Sequence, residues 1–310
     1  MEVGFERKTI ELRNGEIYAY RELGTSNTQT IILLHGAFAS STAFQHCFLQ
    51  LSKTFHIFAI DLRGHGHSSY NQTLSSHDDF VTDLKQFTEA LNLDKFYLLG
   101  WSMGGNVAMK FAAQYPDQTQ SLILINPAST KGFPTYKVDE NGMQTLERAK
   151  TKEEVNSQPG PRFIAESVAK KDREGIRGSL NMFYFNGKNK PREEMVEILI
   201  DAWLEFRCAD VLPHNSNTFN ISDEYNGVNH GTNETAKIKC KVLIVHGGMD
   251  LTVPVDEAKY IKEKLGDLVE LVIFPDAGHF VLEDYPQETL DAIEKFCFEQ
   301  GGISIEKKNL

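Results

Sequence analysis

Three side chains in this sequence have the types and the chain order needed to turn an alcohol into a nucleophile. Ser102 stands in Gly100-Trp101-Ser102-Met103-Gly104-Gly105, with the apolar run Phe96–Leu99 before it and a segment of helical period, Asn106–Gln114, after it. A serine on so sharp a strand-to-helix turn keeps its hydroxyl exposed, and β-carbons at positions 100 and 104 would clash. A serine hydroxyl is nearly inert at neutral pH, so a base must take its proton during attack, and imidazole suits that task. Of the ten histidines, His279 in Phe274-Pro-Asp-Ala-Gly-His279-Phe280 is selected by position, because it follows the last strand-like run. Asp250, directly after the buried run Val242–His246, is the expected orienting acid; Asp256 and Asp276 read more simply as a helix-start and a turn residue.

An acyl-transfer intermediate also needs donors for its oxyanion. The backbone N–H of Ala37, in Leu34-His35-Gly36-Ala37-Phe38, and that of Met103, directly after the nucleophile, are the expected pair. His35 beside its glycine is read as a brace for that loop. His65 and His67 in Asp61-Leu-Arg-Gly-His65-Gly-His67-Ser68 take the same reading, because nothing else in the chain supplies a matching ligand pair for a metal. No metal and no cofactor are expected.

These residues need a scaffold that brings distant loops to one place. Residues 8–22 read as two strands about Asn14-Gly15, a dipeptide that accepts the positive φ angles of a tight turn. After it, runs rich in β-branched and aromatic residues recur at Thr30–Leu34, His56–Ile60, Phe96–Leu99, Ser121–Ile125, Lys241–Val245 and Val269–Phe274, as expected of buried parallel strands. Segments of helical period separate most of them: Asp78–Leu91, Met103–Gln114 and Val255–Leu265; Gln287–Phe298 follows the last. Such alternation predicts an α/β chain with a mostly parallel, doubly wound sheet. Loops following parallel strands gather at one sheet edge, which is where Ser102, Asp250 and His279 are expected to meet.

From about Asn126 to Ile238 the rhythm breaks, and loops and helices replace strands. The clearest helix is Glu193–Arg207, with Glu197, Asp201 and Glu205 on one face and Met195, Leu199, Trp203 and Phe206 on the other. The expected division is a core of residues 1–127 and 238–300, an inserted, mainly helical cap over 128–237, and a loose tail over 301–310.

Charge and cysteine content narrow the class. With 32 Lys+Arg against 43 Asp+Glu the net charge is −11, which would repel a nucleic-acid backbone or an anionic membrane. Cys47, Cys208, Cys240 and Cys297 are too scattered for a zinc site or a disulfide scaffold and are expected to be reduced thiols. The first eight residues show no apolar signal region, and no stretch reaches the roughly 18 apolar residues of a membrane span, so a cytoplasmic location is expected. The oligomeric state is not legible.

Taken together, His35-Gly36, Asp61–Ser68, Gly100–Gly105, Gly248-Met249-Asp250 and Ala277-Gly278-His279 resemble the motifs of the α/β-hydrolase superfamily over residues 8–125 and 238–299. The resemblance is to the capped serine-hydrolase branch of carboxylesterases, lactonases, carbon–carbon bond hydrolases and cofactor-free haloperoxidases. It implies the α/β-hydrolase fold, a triad in the order Ser102, Asp250, His279, and hydrolysis of a small carboxylic ester or lactone through an acyl-enzyme. Cleavage of a carbon–carbon bond in a dienone acid is the alternative, although residues 131–210 carry 14 Lys+Arg and 14 Asp+Glu and so no cationic excess. A hydrolase-fold ligand receptor is a third reading. Phe38, Trp101, Phe163, Phe183, Trp203 and Phe206 are the expected substrate-binding residues, lining an acyl pocket beneath the cap that favours medium or aromatic acyl groups over acetate.

Overall fold

Adjacent residues of one strand point to opposite faces, so Ile31 and Leu33 enter one hydrophobic cluster while Ile32 and Leu34 enter another. Both faces of such a strand must be covered, and that requirement shapes the molecule. A computed structural model describes residues 6–187 and 189–301. Its main sheet has eight strands: β1 (Arg7–Glu11), β2 (Ile17–Leu23), β3 (Thr30–Leu34), β4 (His56–Ile60), β5 (Phe96–Trp101), β6 (Thr119–Ile125), β9 (Lys241–Gly247) and β10 (Val269–Phe274). A separate hairpin supplies β7 (Tyr136–Val138) and β8 (Gln144–Arg148). The sheet order is β1-β2-β4-β3-β5-β6-β9-β10, antiparallel in the β1-β2 and β2-β4 pairs and parallel beyond. Gly15 takes the expected positive φ in the turn between the first two strands, at 82°.

Eleven α-helices are found among the described residues. In the core they are α1 (Gln45–Leu51), α2 (His77–Ala90), α3 (Met103–Gln114), α9 (Val255–Leu265), α10 (Val281–Asp284) and α11 (Pro286–Gly301). The first cluster sits under α2, α3 and α9; the second takes Phe48 of α1 and Ile293 of α11. Ser76 and Asp79 close a capping box at the start of α2, satisfying amides that the first turn leaves free.

Between β6 and β9 the chain makes an excursion, whose helices are α4 (Lys152–Ser157), α5 (Pro159–Lys170), α6 (Arg173–Phe183), α7 (Glu193–Leu204) and α8 (Leu212–Thr218). Two details differ from the sequence reading. The β7-β8 hairpin was not foreseen, because its strands are short and polar. The run Val269–Phe274 is not buried on both faces: it is the edge strand β10, half open to solvent. Helix α7 buries Met195, Leu199 and Trp203 as its period predicts, while Glu197 and Asp201 pair with Arg173 and Arg177 of α6. The expected tail lies outside the described residues beyond Gly301. No helix among the described residues is long and apolar enough to cross a membrane.

All four cysteines are free, and Cys47, Cys208 and Cys297 are buried. Burial pushes the Cys47 thiol up to about 12 and that of Cys240, which is partly open, to about 11. Iodoacetamide at pH 8 is therefore expected to leave the native protein unmodified or add one group, on Cys240, and to add four after unfolding, as read by intact mass. Rapid native labelling of Cys47 or Cys297 would contradict this packing.

His77 is buried against Phe80 and Phe219, and burial, followed by the Lys110 ammonium, holds it down to about 4. The unfolded chain takes up this proton near pH 6.5 and the folded chain resists it. The His77 contribution is thus intact above pH 6.5 and is lost as pH falls through about 4, by at most about 3 kcal/mol. Urea unfolding at pH 7 and pH 4 should show a shallower acid loss in His77→Phe than in the parent; equal losses would contradict the assignment.

Candidate active site

Parallel strands in register end together, and here Trp101 of β5 pairs with Ile125 of β6, which pairs with Val245 of β9. The loops that follow therefore leave the sheet at one edge. Ser102 occupies the turn from β5 into α3 with φ 53° and ψ −120°, a conformation that L-residues adopt only when their surroundings impose it. The turn is tight enough to require glycine on both sides: a β-carbon on Gly100 would lie 2.3 Å from the Gly104 carbonyl oxygen, and one on Gly104 2.3 Å from that of Leu34.

At the ends of β9 and β10 stand the acid and the imidazole. His279 Nδ1–H donates to Asp250 Oδ2 at 2.7 Å, and both side chains are fully buried. The other carboxylate oxygen, Oδ1, accepts the amides of Thr252 and Val253, each at 2.8 Å. Burial alone would raise the Asp250 carboxyl, but the His279 ring and these donors outweigh it and hold it below its usual value. The acid is thus ionised and fixed. His279 Nε2 has no hydrogen-bond partner among the described residues, Ser102 included. The Trp101 indole N–H donates to the His279 carbonyl at 3.1 Å, so the residue before the serine braces the histidine loop. Neither alternative acid competes for the ring: Asp256 is exposed and pairs with Lys259, and Asp276 accepts the Tyr285 hydroxyl.

The third loop follows β3. Gly36 packs so closely on the serine turn that a β-carbon there would come 3.1 Å from Ser102 Cβ. The amide of Ala37 and that of Met103, the first residue of α3, have no acceptor among the described residues. His35 braces this loop: Nδ1–H donates to the Gly36 carbonyl at 2.7 Å and Nε2 accepts the Leu62 amide at 3.0 Å. Asp61 accepts the amides of Ser41 and His67, and His65 Nδ1 lies 3.0 Å from the Arg63 carbonyl, so these side chains tie loops together. Among the described residues no three His, Cys, Asp or Glu side chains are grouped to hold a metal.

Above Ser102 lies a cavity of about 320 Å³ lined by Ala37, Phe38 and Met103 from the core and by residues of the excursion, among them Ala128, Ile164 and Leu212. Among the described residues no Asp, Glu, Lys, Arg or His lines it. Of the six expected substrate contacts, Phe38 alone lies on this wall. Trp101 is fully buried beneath the serine turn. Trp203 and Phe206 spend their rings on packing Phe38, with centroids 4.5 and 4.9 Å away. Phe163 and Phe183 are partly open to solvent outside the cavity. The wall is supplied instead by the hairpin residues Tyr136 and Val138, by Pro159–Pro161 at the start of α5, and by Tyr184.

Asn126 escaped the sequence reading, and Tyr184 was legible only as one of the large apolar side chains of the excursion. Asn126, at the end of β6 with φ 42°, donates its side-chain amide to Asp250 Oδ2 at 2.8 Å and to the Gly278 carbonyl at 3.2 Å. An asparagine at a strand end was the available signal, since its side chain tolerates the left-handed region. Tyr184 packs its ring on His279 with centroids 5.0 Å apart. The run Phe183-Tyr184-Phe185 marks it as apolar mass of the excursion but not as a partner of His279.

Comparison with known proteins agrees with this architecture. Residues 29–286 match the family model described as the alpha/beta hydrolase fold. The chain is 24% identical over 278 residues to the pimeloyl-[acyl-carrier protein] methyl ester esterase of Nitrosomonas europaea, covering 89% of this chain and 96% of that one. It is 26% identical over 292 residues to human monoacylglycerol lipase ABHD6, covering 90% and 78%. Among solved structures, an esterase from Exiguobacterium antarcticum superimposes with a TM-score of 0.72 at 20% identity, covering 94% of this chain and 99% of that one. A thermophilic esterase from Thermogutta terrifontis gives 0.70 at 21%, covering 95% and 99%. The two relatives named here are an esterase and a lipase, and the chain belongs to the alpha/beta hydrolase fold family.

Proposed function

We propose that the protein hydrolyses a small, uncharged carboxylic ester or lactone through an acyl-enzyme on Ser102. The observation that carries this reading is the His279 ring: one nitrogen is bonded to an ionised, buried Asp250 and the other is left without a partner at the sheet edge that holds the serine. A bond from Nδ1–H to the carboxylate selects the tautomer whose Nε2 can accept a proton. In the proposed sequence Ser102 Oγ attacks the carbonyl carbon while His279 Nε2 takes the hydroxyl proton. The amides of Ala37 and Met103 hold the oxyanion, with the start of α3 adding its favourable dipole. His279 then gives its proton to the departing alcohol oxygen. Water enters, passes a proton to His279 as it attacks the acyl carbon, and Ser102 leaves as the alcohol with the acid released.

The cavity supports an uncharged substrate. Three of its polar side chains are already committed: Asn106 donates to the carbonyls of Ala128 and Ser129, Gln158 bonds Val138 and Glu154, and Thr252 bonds the Phe183 carbonyl. A substrate carboxylate would lose its water and find no cation among the described lining residues, which weighs against the dienone-acid reading. The excursion over 128–237 acts in this account as a cap that chooses the acyl group. Apolar lining favours a medium-length acyl chain over acetate, each buried methylene contributing about 0.8 kcal/mol.

Two measurements test this. Ser102→Ala is expected to lower p-nitrophenyl valerate hydrolysis by roughly 10⁴-fold or more, and Asp250→Asn by about 10³ to 10⁴, with Asp256→Asn and Asp276→Asn close to the parent. Near-full activity in Ser102→Ala or Asp250→Asn would overturn the assignment. The second compares p-nitrophenyl valerate with the p-nitrophenyl monoester of succinic acid, where kcat/KM for the anionic ester is expected to be at least about 100-fold lower. Equal values would mean that the cavity is not the acyl site.

A further inference from the structure

Tyr184, the residue just past α6, touches more of the site than any single wall residue needs to. Its hydroxyl donates to the Ala37 carbonyl at 3.2 Å. Its own carbonyl accepts the amide of Phe280, directly after His279, at 3.2 Å. Its ring packs on His279 at 5.0 Å and on Trp101 at 5.6 Å, and its remaining edge lines the cavity. The flanking residues reach the acid's loop: Thr252 Oγ1 donates to the Phe183 carbonyl at 2.9 Å, and Asn186 donates its side-chain amide to the Met249 carbonyl. Residues 183–186 thus form a strap from the excursion bonded to the loops of the oxyanion donor, the acid and the base.

We infer that Tyr184 is a positioning residue that holds the oxyanion loop and the base loop in mutual alignment, so that the excursion completes the site as well as roofing it. The inference rests on the hydrolase reading above. The oxyanion loop has particular need of such a tie, because Phe38 carries a φ of 60°, which an L-residue keeps only where its surroundings hold it. Three groups hold it here. Trp203 and Phe206 pack on the Phe38 ring, and the Tyr184 hydroxyl fixes the carbonyl of the peptide joining Ala37 to Phe38. With that peptide fixed, the preceding one, which carries the Ala37 N–H, has little freedom to turn. Burial, with the Asp250 charge adding to it, raises the Tyr184 hydroxyl, so it stays protonated and serves as a donor.

Tyr184→Phe removes one neutral hydrogen bond and keeps the ring. Such a bond is worth a factor of roughly 3 to 10 when it acts on the transition state alone. With p-nitrophenyl valerate, kcat is expected to fall by about that factor while KM changes less than about twofold. A trifluoromethyl ketone bearing the same acyl chain forms a hemiketal oxyanion on Ser102, so its affinity should weaken by the same factor as kcat/KM, whereas inhibition by the product acid should not move. A residue that only stabilised the fold would lower the melting temperature without separating these two ligands. Thr252→Val, which cuts the strap from the acid's side, is expected to lower kcat in the same sense and supplies the test should Tyr184→Phe fold poorly. Unchanged kcat and ketone affinity in both variants, or in whichever folds, would overturn the inference while leaving the hydrolase reading intact. A parent protein that neither turns over the ester nor binds the ketone would instead remove that reading and the inference with it.

Discussion

The bond between the Asp250 carboxylate and the His279 ring is the constraint around which the rest is arranged, because it holds a buried charge that the fold must otherwise pay to desolvate. An ionised carboxylate shut away from water survives only when its lone pairs are filled. Here the ring, the Thr252 and Val253 amides and the Asn126 side chain fill them. Each donor comes from a loop that follows a strand at the same sheet edge: Asn126 after β6, Thr252 and Val253 after β9, His279 after β10. Loss of register between β6 and β9 would withdraw Asn126 from the carboxylate, and loss between β9 and β10 would part the acid from the imidazole. The parallel sheet therefore acts as the ruler for the site.

On the other side of Ser102 the constraint is steric. The turn from β5 into α3 leaves no room for a side chain at Gly100 or Gly104, and the β3 loop leans on it through Gly36. That crowding presents the amides of Ala37 and Met103 beside the serine with no acceptor of their own. The excursion then contributes an uncharged ceiling and, through residues 183–186, ties to three of the loops below it. An acyl-enzyme hydrolase needs an orienter for its base, donors for its oxyanion and a dry pocket for its acyl group, and these three parts of the molecule correspond to those three needs.

Much of this was legible in the sequence, for physical reasons that also explain the gaps. Runs such as Thr30–Leu34 and Lys241–Val245 are short, β-branched and apolar throughout, as a strand covered on both faces must be, and the loops after them pointed to Ser102, Asp250 and His279. Edge and centre were not distinguishable: Val269–Phe274 has the composition of a buried strand yet runs along the sheet border. The hairpin Tyr136–Arg148 was missed because Gln144-Thr-Leu-Glu-Arg148 carries almost no apolar alternation. The aromatic residues of the excursion were visible as apolar mass, but composition does not say which wall a ring faces. Trp203 and Phe206 went into packing Phe38, and Trp101 went beneath the serine, while less conspicuous residues such as Val138 and Pro161 became the lining. Asn126 and Tyr184 act through contacts more than 80 residues away in the chain, which no local pattern encodes.

The central claim is that Ser102 is the nucleophile, made reactive by its place beside His279 and the two free amides. Peptide mapping by mass spectrometry after reaction of the native protein with a fluorophosphonate tests it most directly. A single adduct on Ser102 is expected, formed rapidly in the parent, far more slowly in His279→Ala, and not at all after unfolding. An adduct on another residue, or labelling of Ser102 at the same rate in His279→Ala and in the unfolded chain, would contradict it.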